Sequence, residues 1–373
     1  MRMIHTSDLH LGVSINGVSM LDEQKIVLGE LTEAVHTQKI DAVIIAGDVF
    51  DHAVSSAEAV HLYNQTMTKL CIDLKTKVFM CAGNHDGAAR LSSCGELLEK
   101  AGFYVAGSIK DGIKSIEIED CVIHLLPFFS IDEVRYLHPD KEIKGYENAM
   151  RVMVEKIPLV QDKKNILVAH CYVTDAVPCE SDRSVMIGGA NMVSASVFEK
   201  FDYVALGHLH TPQDIGKNVR YSGSSLKLSF SEENNQKSFT IIDTDEFSRT
   251  YIPIKQQKNL RTIKDTYKKA LLTAKNDPIK DDYMRIVLTD EYAHTQIQDV
   301  FRQIYANILS FSGKAFESED GVPTLCIDEV TSLTPLQIML SFFKEYSGEK
   351  PTEQQMKWFE QAVLATQKEE DKQ

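Results

Sequence analysis

The sequence predicts an α/β protein in which two sheets pack face to face with helices outside, followed by a small α+β domain and a C-terminal helical segment. Three observations support this class. Apolar strands alternate with amphipathic helices over residues 1–101, which is typical of a mostly parallel sheet covered by helices. Residues 115–128 alternate apolar and polar side chains, which indicates antiparallel strands. After residue 258 the strand and helix patterns indicate a separate small domain.

The individual elements follow from the periodicity of the apolar residues. In the first part of the chain we expect strands at residues 1–6, 41–46, 77–82, 165–170, 201–208 and 237–244. Helices are expected there at residues 21–35, 57–74 and 91–101. In the small domain the predicted order is a helix at 263–274, a strand at 283–288, a helix at 295–308 and a strand at 324–327. These assignments predict domains at residues 1–255 and 258–330, with a helical segment at 333–367.

Composition excludes several classes of protein. The 373-residue chain has no apolar run near the roughly 18 residues that a membrane span needs, so we expect a cytoplasmic protein without membrane contact. Its seven cysteines are scattered and form no C-x-x-C pair, which argues against a disulfide scaffold or a structural zinc site. The net charge is −14, so nucleic-acid binding must depend on a local site, on bound metal charge or on a partner. No G-x-x-x-x-G-K-[ST] motif is present, so any ATP dependence must come from a partner.

Five predicted strands end in side chains that can bind metal ions or transfer protons. Because ligands bind at the carboxyl ends of strands in layered α/β proteins, we expect these side chains to meet at one edge. The glycines at 47, 83 and 207 allow backbone conformations that turn the next side chain inward. The residues are Asp8 and His10, Asp48, Asn84 and His85, His170, and finally His208 and His210.

The chemistry of this set favours a pair of metal ions. Carboxylate, amide and imidazole ligands without a thiolate suit Mn²⁺, Fe²⁺ or Zn²⁺. The ligands outnumber the needs of one ion and fit two, which together form a clamp for displacement at phosphorus. Each motif alone also occurs in ordinary turns. Five such strand ends in one chain favour the metal interpretation.

The ordered motifs DxH, GDxxD, GNHD, H and GHxH resemble the calcineurin-like metallophosphoesterase superfamily, and "SDLHLG", "GDVFD", "FDYVALGHLH" and "YSGSSLKLSFSE" resemble its DNA break-repair nucleases. The resemblance covers residues 1–255. It implies a two-sheet metallophosphoesterase sandwich with two divalent metal ions, Mn²⁺ first among the candidates. It also implies two ligand sets, Asp8, His10, Asp48 and His210 for one ion and Asp48, Asn84, His170 and His208 for the other.

The same resemblance implies roles for two further residues. His85 would contact the scissile phosphate and stabilise the transition state or protonate the leaving oxygen. Asp51 is the second carboxylate of GDxxD, and it would hydrogen-bond His85 and favour the protonated imidazole.

The activity that the resemblance implies is a double-strand exonuclease and single-strand or hairpin endonuclease in DNA end processing, repair and recombination. The expected partners are DNA and an SbcC-like coiled-coil ATPase, with a homodimer inside a heterotetramer. An alternative is a dimetal phosphodiesterase or phosphatase for a small molecule or phosphoprotein, although protein phosphatases carry Arg-Gly after GDxxD and His52-Ala53 follow here. A non-catalytic scaffold is a third alternative, and it would tolerate the loss of ligands.

Two short amphipathic helices are predicted within residues 333–367. Thr334 and Gln337 form one capping box, and Thr352 and Gln355 form a second. The apolar stripes that follow either pack on the parent domain or, as the resemblance implies, dock on the coiled coil of the partner.

Overall fold

The computed structural model describes residues 1–179, 182, 192–291, 293, 295–313, 340, 351–352, 354–356 and 358. Two compact units are present. The first contains Met1–Ile263, Ala274–Arg285 and Phe301–Ser310, and the second contains Lys264–Thr273, Ile286–Val300 and the described residues from Phe311 onward.

The elements follow one another as alternating strands and helices. The strands are β1 (Arg2–Thr6), β2 (Ser14–Ile15), β3 (Val18–Ser19), β4 (Ala42–Ala46), β5 (Lys77–Cys81), β6 (Phe103–Ala106), β7 (Lys114–Ile118), β8 (Cys121–Leu126), β9 (Lys164–His170), β10 (Tyr172–Val173), β11 (Met192–Val193), β12 (Tyr203–Gly207), β13 (Gln213–Ile215), β14 (Val219–Tyr221), β15 (Ser238–Asp243), β16 (Ser248–Pro253), β17 (Leu260–Asp265), β18 (Tyr283–Leu288) and β19 (Asn307–Ser312). The α-helices are α1 (Leu21–Thr37), α2 (Ala57–Thr68), α3 (Ala88–Leu91), α4 (Gly95–Glu99), α5 (Ile131–Leu137), α6 (Gly145–Glu155), α7 (Tyr267–Asn276) and α8 (Thr295–Arg302). Within the described part of the chain, none of the helices has the length and apolar character needed to cross a bilayer.

Two six-stranded sheets form the first unit. Their strand orders are β16-β15-β1-β4-β5-β6 and β13-β14-β12-β9-β8-β7. In the first sheet β1, β4, β5 and β6 are parallel, and β15 and β16 join in antiparallel fashion. In the second sheet β8, β9, β12 and β14 are parallel, and β7 and β13 are antiparallel. The predicted combination of a parallel sheet with added antiparallel strands is confirmed.

Successive side chains of the strands enter two different cores. In β4, Val43 and Ile45 pack with residues of α1 and α2, whereas Ala42 and Ile44 pack against residues of the second sheet. The strand β9 alternates in the same way between the inter-sheet core and the core that contains α6. Both faces of each sheet are therefore covered, which explains why the central strands are continuous apolar runs. The predicted face-to-face packing with helices outside is confirmed.

Four predicted helices differ in their bounds or type. The helix expected at 57–74 ends as α2 at Thr68, and a π-helix continues it over Lys69–Asp73. The helix expected at 91–101 is divided into α3 and α4, because Cys94 adopts a left-handed backbone with φ of 59° that cannot continue an α-helix. The helices expected at 263–274 and 295–308 lose residues 263–265 and 307–308 to β17 and β19. Both strands flank β18 in a three-stranded sheet. A short apolar run fits the period of a helix or that of a strand, and here pairing with β18 selects the strand.

The C-terminal predictions lie largely outside the described residues. This applies to the strand expected at 324–327 and to most of the segment 333–367. The second capping box is described: the Thr352 N–H donates to Gln355 Oε1 at 2.8 Å, and the Gln355 N–H donates to Thr352 Oγ1 at 3.4 Å. That helix start is confirmed, and the domain boundaries stay predictions.

Candidate metal centre

One group of candidate ligands gathers around His170. Asn84 Oδ1 lies 3.0 Å from His170 Nε2 and 3.1 Å from His208 Nδ1, and these two ring nitrogens are 3.3 Å apart. Asp48 Oδ2 lies 3.3 Å from His170 Nε2. Ligands that bind one ion at about 2.1 Å are separated from each other by about 3.0–3.4 Å. The separations therefore fit a shared ion, and we name Asp48, Asn84, His170 and His208 the His170 half-site.

The hydrogen bonding of His170 explains why a cation fits there. Its Nδ1–H donates to the main-chain oxygen of Ala46 at 2.9 Å, so in the neutral ring the lone pair of Nε2 faces the oxygens of Asn84 and Asp48. All three atoms are acceptors, and a cation between them satisfies them together. Burial lowers the pKa of His170, but Asp48 and Asp8 outweigh burial and raise the pKa to about 9. The pocket thus favours a positive charge at this position, which a proton or a metal ion can supply.

A second group gathers around His10 and His210. Candidate ligand atoms of Asp8, His10 and His210 all lie within 4.8 Å of one another. Neither ring nitrogen of the buried His10 has a hydrogen-bond partner among the described residues. The Asp51 carboxylate lies 3.4 Å from Nδ1. Because buried polar atoms are almost always satisfied, the buried Nε2 fits the role of a metal ligand. We name Asp8, His10, Asp48 and His210 the His210 half-site.

Asp48 belongs to both half-sites through one oxygen atom. Its Oδ2 lies 3.3 Å from His170 Nε2 and 3.7 Å from His10 Nε2, while Oδ1 accepts the His85 main-chain N–H at 2.9 Å. Burial opposes ionisation of this carboxylate, but His170, His10 and His85 together hold the pKa of Asp48 well below its usual range. An ionised carboxylate therefore lies between the two groups of imidazoles.

Four of the candidate ligands have strained backbone conformations. The φ angle is positive at Asp8 (50°), His10 (42°), Asp48 (48°) and His208 (106°). Left-handed conformations of this kind cost about 1–3 kcal/mol each in residues other than glycine, and they cluster at functional sites. Strain at four of the candidate ligands is therefore a further sign of a functional site.

The three glycines of the strand ends serve two different purposes. Gly47 has φ of +84°, as expected for a turn that directs the next side chain inward. That explanation is wrong for Gly83 and Gly207, which lack a positive φ. They are required for close approach instead, because a Cβ would lie 2.1 Å from Asp48 Oδ1 at Gly83 and 1.9 Å from the Ala46 oxygen at Gly207.

His85 meets Asp51 through a different atom than expected. The His85 Nδ1–H donates to the main-chain oxygen of Asp51 at 2.8 Å. The Asp51 carboxylate lies 3.4 Å from His10 Nδ1 and 3.2 Å from His52 Nε2. The expected carboxylate–His85 hydrogen bond is therefore wrong, because the carbonyl oxygen already occupies Nδ1 and the carboxylate is turned to His10.

Three acidic residues around the site, Asp86, Asp182 and Glu232, are not indicated by the strand-end pattern. Asp86 accepts the N–H groups of Gly83 at 2.8 Å, Val49 at 3.2 Å and Phe50 at 2.9 Å, so it ties together the loops that carry Asp48 and Asn84. It is the last residue of the GNHD motif, which was a usable signal. Glu232 Oε1 lies 3.4 Å and Asp182 Oδ1 lies 3.5 Å from His210 Nδ1, and no local pattern connects either position with His210.

Comparison with known proteins places the chain in a family. Residues 1–212 match the calcineurin-like phosphoesterase family. The chain is 31% identical over 355 residues to the SbcD subunit of nuclease SbcCD from Staphylococcus epidermidis, covering 94% of both chains. It is likewise 31% identical over 370 residues to the protein of the same name from Staphylococcus saprophyticus, covering 98% of both. A solved archaeal phosphodiesterase shares 14% identity over 68% of this chain and 99% of its own, with a TM-score of 0.33, which is too low to add to the assignment.

The chain therefore belongs to the calcineurin-like phosphoesterase family and is a metal-dependent phosphoesterase. Its similarity to the two staphylococcal SbcD proteins extends beyond the family match, over nearly the whole chain. The family uses a centre of two divalent metal ions, and the clusters described above are the candidate ligands for it. The predicted fold class is confirmed.

Proposed function

We propose that this chain is a DNA nuclease in which each half-site holds one divalent ion and Mn²⁺ is the working metal. The observation that carries the proposal is the position of Asp48 Oδ2 between His170 Nε2 at 3.3 Å and His10 Nε2 at 3.7 Å. One carboxylate oxygen that faces two imidazole groups suits a ligand shared by two ions. Oxygen and imidazole donors without a thiolate suit Mn²⁺, Fe²⁺ or Zn²⁺, and the family resemblance favours Mn²⁺ among these.

In this proposal the side chains of the half-sites would bind the ions, and His85 would contact the phosphate or transfer a proton. Bound ions would supply an activated water and would neutralise the charge of the phosphoryl group. His85 keeps Nδ1–H on the Asp51 carbonyl, which leaves Nε2 as the atom for the scissile phosphate or the leaving oxygen. Its ring lies beside His10, with 4.8 Å between centroids, so this proton-handling group adjoins the His210 half-site.

The proposed substrate and partners rest on the relatives. Both carry the name of the SbcD subunit of nuclease SbcCD, and the match covers 94% or more of this chain. We propose double-strand exonuclease and single-strand or hairpin endonuclease activity in the cytoplasm, together with an SbcC-like coiled-coil ATPase, as a homodimer within a heterotetramer. Bound metal and this partner would supply the positive charge that a chain of net charge −14 lacks for DNA.

The decisive experiment measures cleavage by the purified chain. End-labelled linear duplex, a DNA hairpin and bis-p-nitrophenyl phosphate are incubated with Mn²⁺, with Mg²⁺ and with EDTA. We expect Mn²⁺-dependent DNA cleavage that EDTA and Asp48→Asn abolish and that His61→Gln, at an exposed helix position, leaves unchanged. Hydrolysis of bis-p-nitrophenyl phosphate without DNA cleavage, even with the ATPase added, would favour the phosphodiesterase alternative.

The partner is tested separately by truncation. Deletion of residues 333–373 is expected to leave a folded, Mn²⁺-dependent nuclease that no longer co-purifies with the SbcC-like ATPase, because the two amphipathic stripes would be the docking element. A truncated protein that keeps the partner, or that unfolds, would favour packing of these stripes on the parent domain.

A further inference from the structure

We propose that the buried pair Glu232 and Lys237 positions His210 and thereby sets the affinity of only one of the two ions, the one in the His210 half-site. The inference rests on the proposed function, because it takes the His210 half-site as a binding site for an ion. Neither residue belongs to the ligand sets, and both act through His210.

Lys237 fixes the main chain of His210. Its side chain is 0% exposed, and Nζ lies 2.5 Å from Glu232 Oε2. The same Nζ donates to the main-chain oxygen of His210 at 2.8 Å and to Ser224 Oγ at 2.8 Å. The three N–H donors of the ammonium group thus have three acceptors. One of these acceptors is the ligand residue itself.

Glu232 fixes the ring of the same residue. Its side chain is also 0% exposed, and Oε1 lies 3.4 Å from His210 Nδ1. Burial raises the pKa of Glu232, but Lys237 and His210 outweigh burial and lower the pKa to about 2. A carboxylate on one ring nitrogen fixes the tautomer and makes the other nitrogen a more basic ligand. The pair therefore holds His210 at its carbonyl and its imidazole. Buried Asp182 adds to this support, because its Oδ1 accepts the His210 main-chain N–H at 3.2 Å and lies 3.5 Å from Nδ1, but only Glu232 is tied to the ring and, through Lys237, to the carbonyl.

Packing alone does not account for this pair. A buried ion pair contributes little net stability, and apolar residues of similar volume often serve a core as well or better. The His170 half-site has no such ionic support on its corresponding ring, because Nδ1 of His170 meets the neutral carbonyl of Ala46. Loss of the Glu232 charge should therefore weaken one half-site and spare the other.

The test is a Mn²⁺ titration of the full chain, followed by electron paramagnetic resonance. The wild type is expected to bind two ions. Glu232→Gln is expected to lower one of the two affinities by about 10–100-fold, the usual effect of losing an outer partner of a ligand, and to leave the other unchanged. Asp282→Asn is the matched control, because Asp282 is a buried carboxylate paired with Arg261 at 2.6 Å and contacts no candidate ligand.

A double variant guards against misfolding. Glu232→Gln leaves the charge of Lys237 buried without its partner, so Glu232→Gln combined with Lys237→Met removes both charges together. The same selective loss is expected there. Two unchanged affinities, two equally weakened affinities, or loss of folding in both variants would overturn the inference. Failure of the wild type to bind two ions would instead contradict the proposed function.

Discussion

The two half-sites share Asp48 but are supported by different kinds of groups. The imidazoles of the His210 half-site face carboxylates, with Glu232 at 3.4 Å from His210 and Asp51 at 3.4 Å from His10. The His170 ring instead meets a neutral carbonyl and packs closely over Gly47. One half-site therefore depends on side-chain charge, and the other depends on backbone geometry. This difference predicts which substitutions act on one ion and which act on both.

Asp48→Asn should have the largest effect, because it removes the one group that belongs to both half-sites. We expect loss of both ions and a fall in activity greater than the roughly 10–100-fold typical of an outer partner. Metal content by mass spectrometry and DNA cleavage by gel assay check this expectation. Retention of one tightly bound ion would show that Asp48 is not shared.

His85→Gln should reduce activity while sparing both half-sites. The side chain is outside the two ligand sets, and loss of a positioned proton donor costs about 10²–10⁴-fold in rate. We expect two bound ions in the variant, with kcat lowered and metal affinity unchanged. A parallel fall of metal content and activity would identify His85 as a ligand.

Gly47→Ala should damage the His170 half-site selectively. The added Cβ would lie 2.3 Å from His170 Nδ1, in the place where that nitrogen donates to Ala46. We expect a Mn²⁺ titration to show that one of the two ions no longer binds, or binds with much lower affinity. Gly17→Ala is the matched control, since Gly17 also has a positive φ of +79° but nothing within 4 Å of the added atom. Two unchanged ions in the Gly47 variant would contradict the role of backbone geometry.

The sequence predicts the ligands of the two half-sites better than it predicts the residues that hold those ligands in place. The ligands lie at the ends of apolar strands, and strand periodicity together with the parallel arrangement is enough to bring them to one edge. The supports depend on tertiary packing that no local pattern reports. Glu232 meets His210 across 22 positions of the chain, and the carbonyl of Asp51 competes successfully with its own carboxylate for His85. Tertiary pairing also explains why parts of two predicted helices belong to β17 and β19, since pairing with β18 overrides a helical pattern.

Asp51→Asn should have the smallest effect and gives the sharpest test of how Asp51 acts. The substitution keeps the main-chain carbonyl that accepts His85 Nδ1–H at 2.8 Å, and it removes only the charge that faces His10 at 3.4 Å. We therefore expect the affinity of the His210 half-site for its ion to fall about 10-fold. This is the lower end of the range for the loss of an outer partner of a ligand. At saturating Mn²⁺ the pH–rate profile on bis-p-nitrophenyl phosphate should stay where it is in the wild type. A profile displaced to lower pH would mean that the carboxylate itself stabilises protonated His85, as the family resemblance implied. In that case the charge of Asp51 would belong to the proton-transfer step and not to the support of His10.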